Sequence, residues 1–149
     1  MNETTWQARV ISNGRETAEA FVRSQKLAIG PPLQFDAEFK GVTALEILLA
    51  ALGADIVNGF AAVARQQRLS VDQLEATVEG SLNNPLTFLG VVGETGHPGL
   101  ETAKVTLYIG TLDSEAAVKK AWLETLKRSP LVNTLSKAAT LKLSFKISL

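Results

Sequence analysis

Residues Thr43-Ala44-Leu45-Glu46-Ile47-Leu48-Leu49-Ala50-Ala51-Leu52-Gly53-Ala54 carry the strongest structural signal in the chain. Thr43 and Glu46 have the spacing of a capping box. The threonine hydroxyl accepts from the backbone N–H three residues on, and the glutamate reaches back to the threonine N–H. The spacing predicts a long helix from here to about Arg68. Its first half, through Ile56 and Val57, is apolar on nearly every face, and a helix apolar all round is expected to be buried all round. Gly53 and Gly59 each cost about 1 kcal/mol of helix propensity relative to alanine. Close packing against a neighbouring element, or against a second copy of the same helix, is the expected compensation. A chain of 149 residues has little else with which to surround such a helix. We therefore expect it at a homodimer interface; a monomer at micromolar concentration would contradict this.

Outward from the helix the pattern changes from a period of 3.6 to a period of 2. On the amino-terminal side, Trp6, Ala8 and Val10 alternate with polar residues, and Asn13-Gly14 is a turn dipeptide. Phe21–Ile29 reads as a return strand, which Pro31-Pro32 interrupts. Leu33, Phe35, Ala37 and Phe39 then alternate as a strand with one buried face. On the carboxyl side, Leu74, Ala76, Val78 and Leu82 mark a strand, residues 83–98 a loop, and Ala103, Val105, Leu107 and Ile109 the next strand. Asp113 or Ser114 caps a helix with apolar positions at Val118, Ala121, Trp122, Thr125 and Leu126. Lys127 and Arg128 suit its last turn, where cations favour the helix dipole. Ser129-Pro130 restarts a short helix, with serine as N-cap and proline at the first position. Leu141, Leu143, Phe145, Ile147 and Leu149 form a closing strand. The order of elements is α+β in a single domain, 1–149, with strands packed on a long central helix.

Composition narrows the function classes. Apolar residues make up 46% and charged residues 20%, which is ample for a core. Lysine plus arginine equals aspartate plus glutamate at 15 each. That balance provides no electrostatic reason for nucleic acid or an anionic membrane as partner. Residues 1–9 lack the basic start and apolar core of a secretory signal. The longest apolar stretch, Ile47–Val57, is interrupted by Asp55 and falls short of the roughly 20 residues that span a bilayer. A soluble cytoplasmic protein is expected. There is no cysteine, which excludes disulfides, thiolate nucleophiles and cysteine metal sites. With one histidine, His97, a conventional zinc site is not expected either, and no cofactor is implied.

Three segments together resemble the OsmC/Ohr family, over about Leu27 to the end of the chain. The first is the Thr43–Ala54 stretch, similar to the family's helix opening "P-x-E-L-L-L-A-A-L-x-A-C". The second is Val78-Glu79-Gly80-Ser81-Leu82, followed by Phe88-Leu89-Gly90 and His97-Pro98-Gly99, similar to "VEGDLD…FLG…RPG" in one branch. The third is Arg128-Ser129-Pro130-Leu131-Val132-Asn133-Thr134-Leu135, similar to that branch's "RSPV-x-D-x-L", which in the peroxidases reads "CPV". The resemblance implies an intertwined homodimer with two equivalent sites at the subunit interface. In the peroxidase members it implies a cysteine that attacks an organic peroxide and a second that resolves the sulfenic acid as a disulfide. An arginine and a glutamate there hold the thiolate and orient the peroxide. Carried over residue by residue, the two cysteines fall on Asp55 and Ser129. Glu46 matches the helix-start glutamate, one residue out of register with the catalytic one. Arg15 and Arg23 both lie in the region of the arginine. Neither a carboxylate nor a hydroxyl passes through sulfenic acid, so the resemblance carries no thiol peroxidase mechanism here. It carries a role in the oxidative stress response only by family likeness.

The candidate site residues are Asp55, Glu46, Asn58 and Phe88 for a ligand, with none assigned as catalytic. A carboxylate in an apolar helix must be paired or hydrogen-bonded, and Asn58, three residues on, is a candidate partner for Asp55. Asp55 reads either as the polar end of a ligand cleft or as a satisfied interface group. Glu46 reads first as a cap, Ser129 as an N-cap, His97 as a turn residue, and Phe88 as pocket mouth or core. A Ser129–His97–Asp55 triad requires a geometry that the tertiary structure must supply. The expected function is a binding protein that holds a small apolar molecule in an interface pocket. The alternatives are a hydrolase or isomerase using Asp55 as general base with Arg15 or Arg23 as electrophilic partner, and a purely structural or regulatory dimer.

Overall fold

The computed structural model describes residues 4–148. The chain is α+β and falls into two compact units that divide at Leu48/Leu49, within the long helix.

The first unit is a three-stranded antiparallel sheet and the start of the helix. Strands β1 (Arg9–Ser12), β2 (Ala18–Val22) and β3 (Gln25–Ile29) lie in the order β1-β2-β3. The strand expected to begin at Trp6 starts instead at Arg9, so Trp6 and Ala8 precede it. The single strand expected over Phe21–Ile29 is two strands. Val22 pairs with Gln25 across a tight turn at Arg23-Ser24, and Arg23 adopts φ 54°. A positive φ at arginine carries none of the usual glycine or asparagine signal for a turn. The strand expected over Leu33–Phe39 is also absent. There the Asp36 side chain accepts from the Glu38 N–H at 2.9 Å, and the Phe39 N–H donates to the Asp36 carbonyl at 3.1 Å. An aspartate that bonds its own backbone two residues on competes with a strand ladder, and Phe35 is 62% exposed.

Helix α1 (Ala44–Gln66) starts as the capping box predicts. The Thr43 N–H donates to Glu46 Oε1 at 3.0 Å and the Glu46 N–H donates to Thr43 Oγ1 at 3.2 Å. The two remaining free N–H groups of the first turn donate to the proline pair: Ala44 to the Pro31 carbonyl at 3.1 Å and Leu45 to the Pro32 carbonyl at 3.3 Å. All four orphan donors of the helix start are thereby satisfied. The hydrogen bonds from the Thr43 side chain and backbone hold the Glu46 carboxyl below its ordinary titration range. A depressed folded value means that the contribution is complete above the ordinary glutamate range. It fades as the pH falls through that range and past the folded value. Thr43→Ala is expected to lower stability by about 1 kcal/mol, read by urea denaturation. Glu46→Gln is expected to flatten the acid-side slope of stability against pH.

The second unit is the core. Strands β4 (Val71–Leu82), β5 (Leu100–Thr111) and β6 (Thr140–Ser148) form a sheet in the order β4-β5-β6. β4 and β5 pair antiparallel as a long hairpin, while β5 and β6 pair parallel. A parallel pair needs a crossover, and helices α2 (Glu115–Arg128) and α3 (Pro130–Leu135) supply it. The inner face of β5 is Ala103, Val105, Leu107 and Ile109, all 0% exposed. Leu52, Ile56, Phe60 and Val63 of α1 join the same cluster as these residues and as Val118, Ala121 and Trp122 of α2. Leu141, Leu143, Phe145 and Ile147 of β6 are half-buried against it, with the Phe145 ring 5.6 Å from that of Trp122. Leu149, expected in this strand, lies outside the described residues. Ser114, not Asp113, caps α2, accepting from the Ala117 N–H at 3.2 Å. Asp113 accepts instead from the Ser70 N–H at 2.7 Å.

Two expectations about α1 change. Within the single chain the helix is buried on one side only: Leu52, Gly53, Ile56, Phe60, Val63 and Ala64 are buried, whereas Ala50, Ala51, Ala54 and Asn58 are exposed. Gly53 is explained within the chain. A Cβ there would meet Val78 Cγ2 at 2.9 Å, so glycine lets the helix lie directly on β4. The helix also ends at Gln66, two residues before the expected Arg68. It has 23 residues, and an 18-residue stretch within it has a mean hydropathy of 1.9, so by length and composition it could cross a membrane. Its buried side chains belong to the sheet core, which makes it a core helix.

Candidate functional site

The site forms where α1 meets the α2–α3 junction. Ser129 ends α2 in extended backbone (φ −70°, ψ 120°) and is at the same time the N-cap of α3. Its Oγ accepts from the Val132 N–H at 3.0 Å. Pro130 at the first helical position has no N–H to satisfy. The remaining free donor, the Leu131 N–H, donates to Asp55 Oδ2 at 2.9 Å, and the Ser129 hydroxyl donates to Asp55 Oδ1 at 3.0 Å. Asp55 is therefore an external cap for α3, delivered from a helix 74 residues earlier in the chain. A carboxylate suits that place, because the free N–H groups and the dipole of a helix start both favour negative charge. Asn133 closes the other side of the junction. Its Nδ2 donates to the carbonyls of Ser129 at 2.6 Å, Leu126 at 3.1 Å and Lys127 at 3.2 Å.

Beside this network lies a cleft of about 160 Å³, lined by Asp55, Gly59, Ala62, Thr125, Arg128 and Pro130, with Val63 and Ser129. Asp55 is half-buried and Ser129 only 3% exposed. The Arg128 side chain is exposed, and its Nη1 donates to Gln66 Oε1 at 3.0 Å. Gly59 leaves room here, because a Cβ would meet Thr125 Cγ2 at an ordinary 3.5 Å. Gly59→Ala is expected to raise stability by about 0.5–1 kcal/mol through helix propensity, seen as a higher denaturation midpoint.

The structure brings Asp55 and Ser129 into direct contact, the two residues that the resemblance carries onto the cysteine positions. It places the other candidates differently. Asn58 is exposed and is not the partner of Asp55; Ser129 and Leu131 are. The reason is that α3 offers two convergent donors. Glu46 is engaged in the cap of α1. Phe88 follows a short 3-10 turn, Pro85–Thr87, and is 40% exposed. Arg15 lies between β1 and β2, and Arg23 in the β2–β3 turn. The triad does not assemble. His97 Nδ1 accepts from the Gly99 N–H at 3.1 Å, and the Ser129 hydroxyl donates to the carboxylate itself, with no imidazole between them. Sequence reasoning missed Arg128 as a cleft residue and Asn133 as the clamp of the junction. The signal was present in their nearness to Ser129 within one motif. Among the described residues, no group of three or more His, Cys, Asp or Glu is placed to hold a metal ion.

Comparison with known proteins agrees with this architecture. Residues 36–144 match the family model described as OsmC-like protein. The OsmC-like protein of Mycoplasma pneumoniae superposes with a TM-score of 0.82 at 19% identity, over 99% of this chain and 100% of that one. The organic hydroperoxide resistance protein OsmC of Legionella pneumophila gives a TM-score of 0.69 at 15% identity, over 97% and 99%. A Vibrio cholerae protein, described as a putative organic hydroperoxide resistance protein with captopril bound in one of its active sites, gives 0.67 at 12% identity, over 96% and 93%. No curated protein is significantly similar to the chain. The family match covers well over half of the chain, and the sheets and long helix follow the same architecture from end to end: this chain belongs to the OsmC-like family.

Proposed function

We propose that this chain is a binding protein of the OsmC-like fold, without thiol peroxidase activity, that holds one small and largely apolar molecule in the Asp55 cleft. One observation carries the reading: an apolar-walled cleft of about 160 Å³ has a single carboxylate at its edge, already oriented by Ser129 and Leu131. Few, well-placed polar groups in an apolar hollow are the usual composition of a ligand site. With no cysteine in the chain, no residue can cycle through sulfenic acid. Captopril in an active site of the Vibrio cholerae relative supports a small-molecule site in this fold.

The proposal includes a homodimer with both units acting as one domain, in the cytoplasm, and no nucleic acid or membrane as partner. The exposed small residues Ala50, Ala51 and Ala54 on α1 support the dimer. So does the β1–β3 sheet, where every residue of β1 is exposed and only Ala20 is fully buried among the described strand residues. A three-stranded sheet needs a covered face for stability. The same uncovered surface favours a second reading, a structural or regulatory dimer with no ligand. Catalysis with Asp55 as general base is less well supported, because both carboxylate oxygens already accept hydrogen bonds.

Native mass spectrometry of the full chain, set beside its denatured mass, separates these readings. A dimer with extra mass, released on denaturation and missing from Ala62→Leu, supports ligand binding. A bare dimer favours the structural reading, and a bare monomer removes the interface argument.

A further inference from the structure

We infer that the ligand of the cleft is a small monocarboxylic acid whose carboxylate is held by Arg128 and whose hydrocarbon part lies along Ala62, Val63 and Pro130. The inference rests on the proposed binding reading and adds the ligand's chemical class. The two charged groups lining the cleft, Asp55 and Arg128, are in unequal states. Asp55 has both oxygens met by donors, from the Ser129 hydroxyl and the Leu131 N–H. Its charge is answered by the protein, and it serves the start of α3. Arg128 is not answered in that way. Its one hydrogen-bond partner among the described residues is the neutral Gln66 side chain, and none of their carboxylates lies within ion-pair distance of it. A guanidinium has five N–H donors. One bond to Gln66 fixes the side chain at the rim and leaves the other donors for a planar acceptor, and a carboxylate fits that fork with two parallel bonds.

The rest of the lining selects among anions. Gly59, Ala62, Val63 and Pro130 offer no side-chain polar atom, so a bare inorganic anion would leave most of the cleft wall without a contact. The Asp55 carboxylate in the same lining disfavours a dianion such as a phosphate monoester, since like charges repel across a site of low dielectric. A single negative charge with an apolar body answers both constraints. Size sets the upper limit. A cavity of about 150 Å³ takes up a benzene-sized molecule, and this cleft is about 160 Å³. The fitting class is an aromatic or short aliphatic acid with a body of about six carbons.

The test uses benzoate as probe and benzyl alcohol as its neutral counterpart. Binding to the full chain is followed by titration of the Gly59 and Ser129 backbone amide signals in NMR. Benzoate is expected to bind more tightly than benzyl alcohol. Arg128→Gln is expected to weaken benzoate about tenfold or more and to leave benzyl alcohol unchanged, with Arg128→Lys intermediate. Arg128 is exposed, so these variants are expected to fold, and their amide spectra report it. If both probes bind equally and Arg128→Gln changes neither, the acid assignment is overturned while the small apolar ligand reading stands. If neither probe shifts the Gly59 or Ser129 signals of the parent chain, the acid assignment is overturned together with the cleft reading beneath it.

Discussion

Asp55→Ala is expected to lower the unfolding free energy by about 2–4 kcal/mol, because it removes two hydrogen bonds to a charged acceptor at once. The Ser129 hydroxyl and the Leu131 N–H lose their acceptor together. Water replaces part of the loss, since Asp55 is only half-buried, which keeps the figure below that of a buried pair. Asp55→Asn separates geometry from charge. Its amide oxygen still accepts from the Leu131 N–H, and its NH₂ donates to Ser129 Oγ once the hydroxyl turns, so the loss is expected to be about 1 kcal/mol. Ser129→Ala removes one cap of α3 and is expected to cost about 1 kcal/mol. The double variant Asp55→Ala/Ser129→Ala is expected to lose less than the sum of the two, because the residues share one network. Urea denaturation at constant m-value measures all four. Additivity in that cycle would mean that the Asp55–Ser129 contact contributes nothing to the capping of α3.

Phe60→Ala is expected to be the most damaging single substitution, at about 3–5 kcal/mol. Phe60 is 0% exposed and is the largest fully buried side chain, set in the cluster that joins α1, the β5 inner face and α2. Its removal leaves a cavity between elements that are each held by other contacts, so the space has little scope to close. Phe60→Leu keeps most of the volume and is expected to cost about 1–1.5 kcal/mol. The same urea series reads both. A loss under 1 kcal/mol for Phe60→Ala would mean that the helix and sheet repack freely, contrary to the close Gly53 contact with Val78.

The helices were the most legible part of the chain, because their signals are local. Thr43 and Glu46 cap each other across three residues, Ser114 and Ser129 cap the helices that follow them, and Val118, Ala121, Trp122 and Thr125 repeat at helical spacing. The alternation of Ala103, Val105, Leu107 and Ile109 likewise marked the inner face of β5 before any contact was known. The errors fall where a side chain bonds its own backbone or the backbone takes an uncommon angle. Asp36 turned an alternating stretch into a loop, and Arg23 divided one apparent strand into two. Both effects act through one residue and leave periodicity unchanged, so a reading by period passes over them.

Residue patterns along the chain were enough to show that a long apolar helix would organise an α+β fold, that Asp55 would need a partner, and that cysteine chemistry was absent. Which partner Asp55 took, the separation of His97 from it, and the place of Arg128 in the cleft came from the packing of distant segments. The difference lies in distance along the chain. A cap or an amphipathic face is set by residues three or four apart, whose geometry the helix itself dictates. The bonds from Asp55 to Ser129 and Leu131 join residues 74 and 76 positions apart. They exist because the β5–β6 crossover brings the start of α3 to the flank of α1, where a carboxylate finds two unpaired donors.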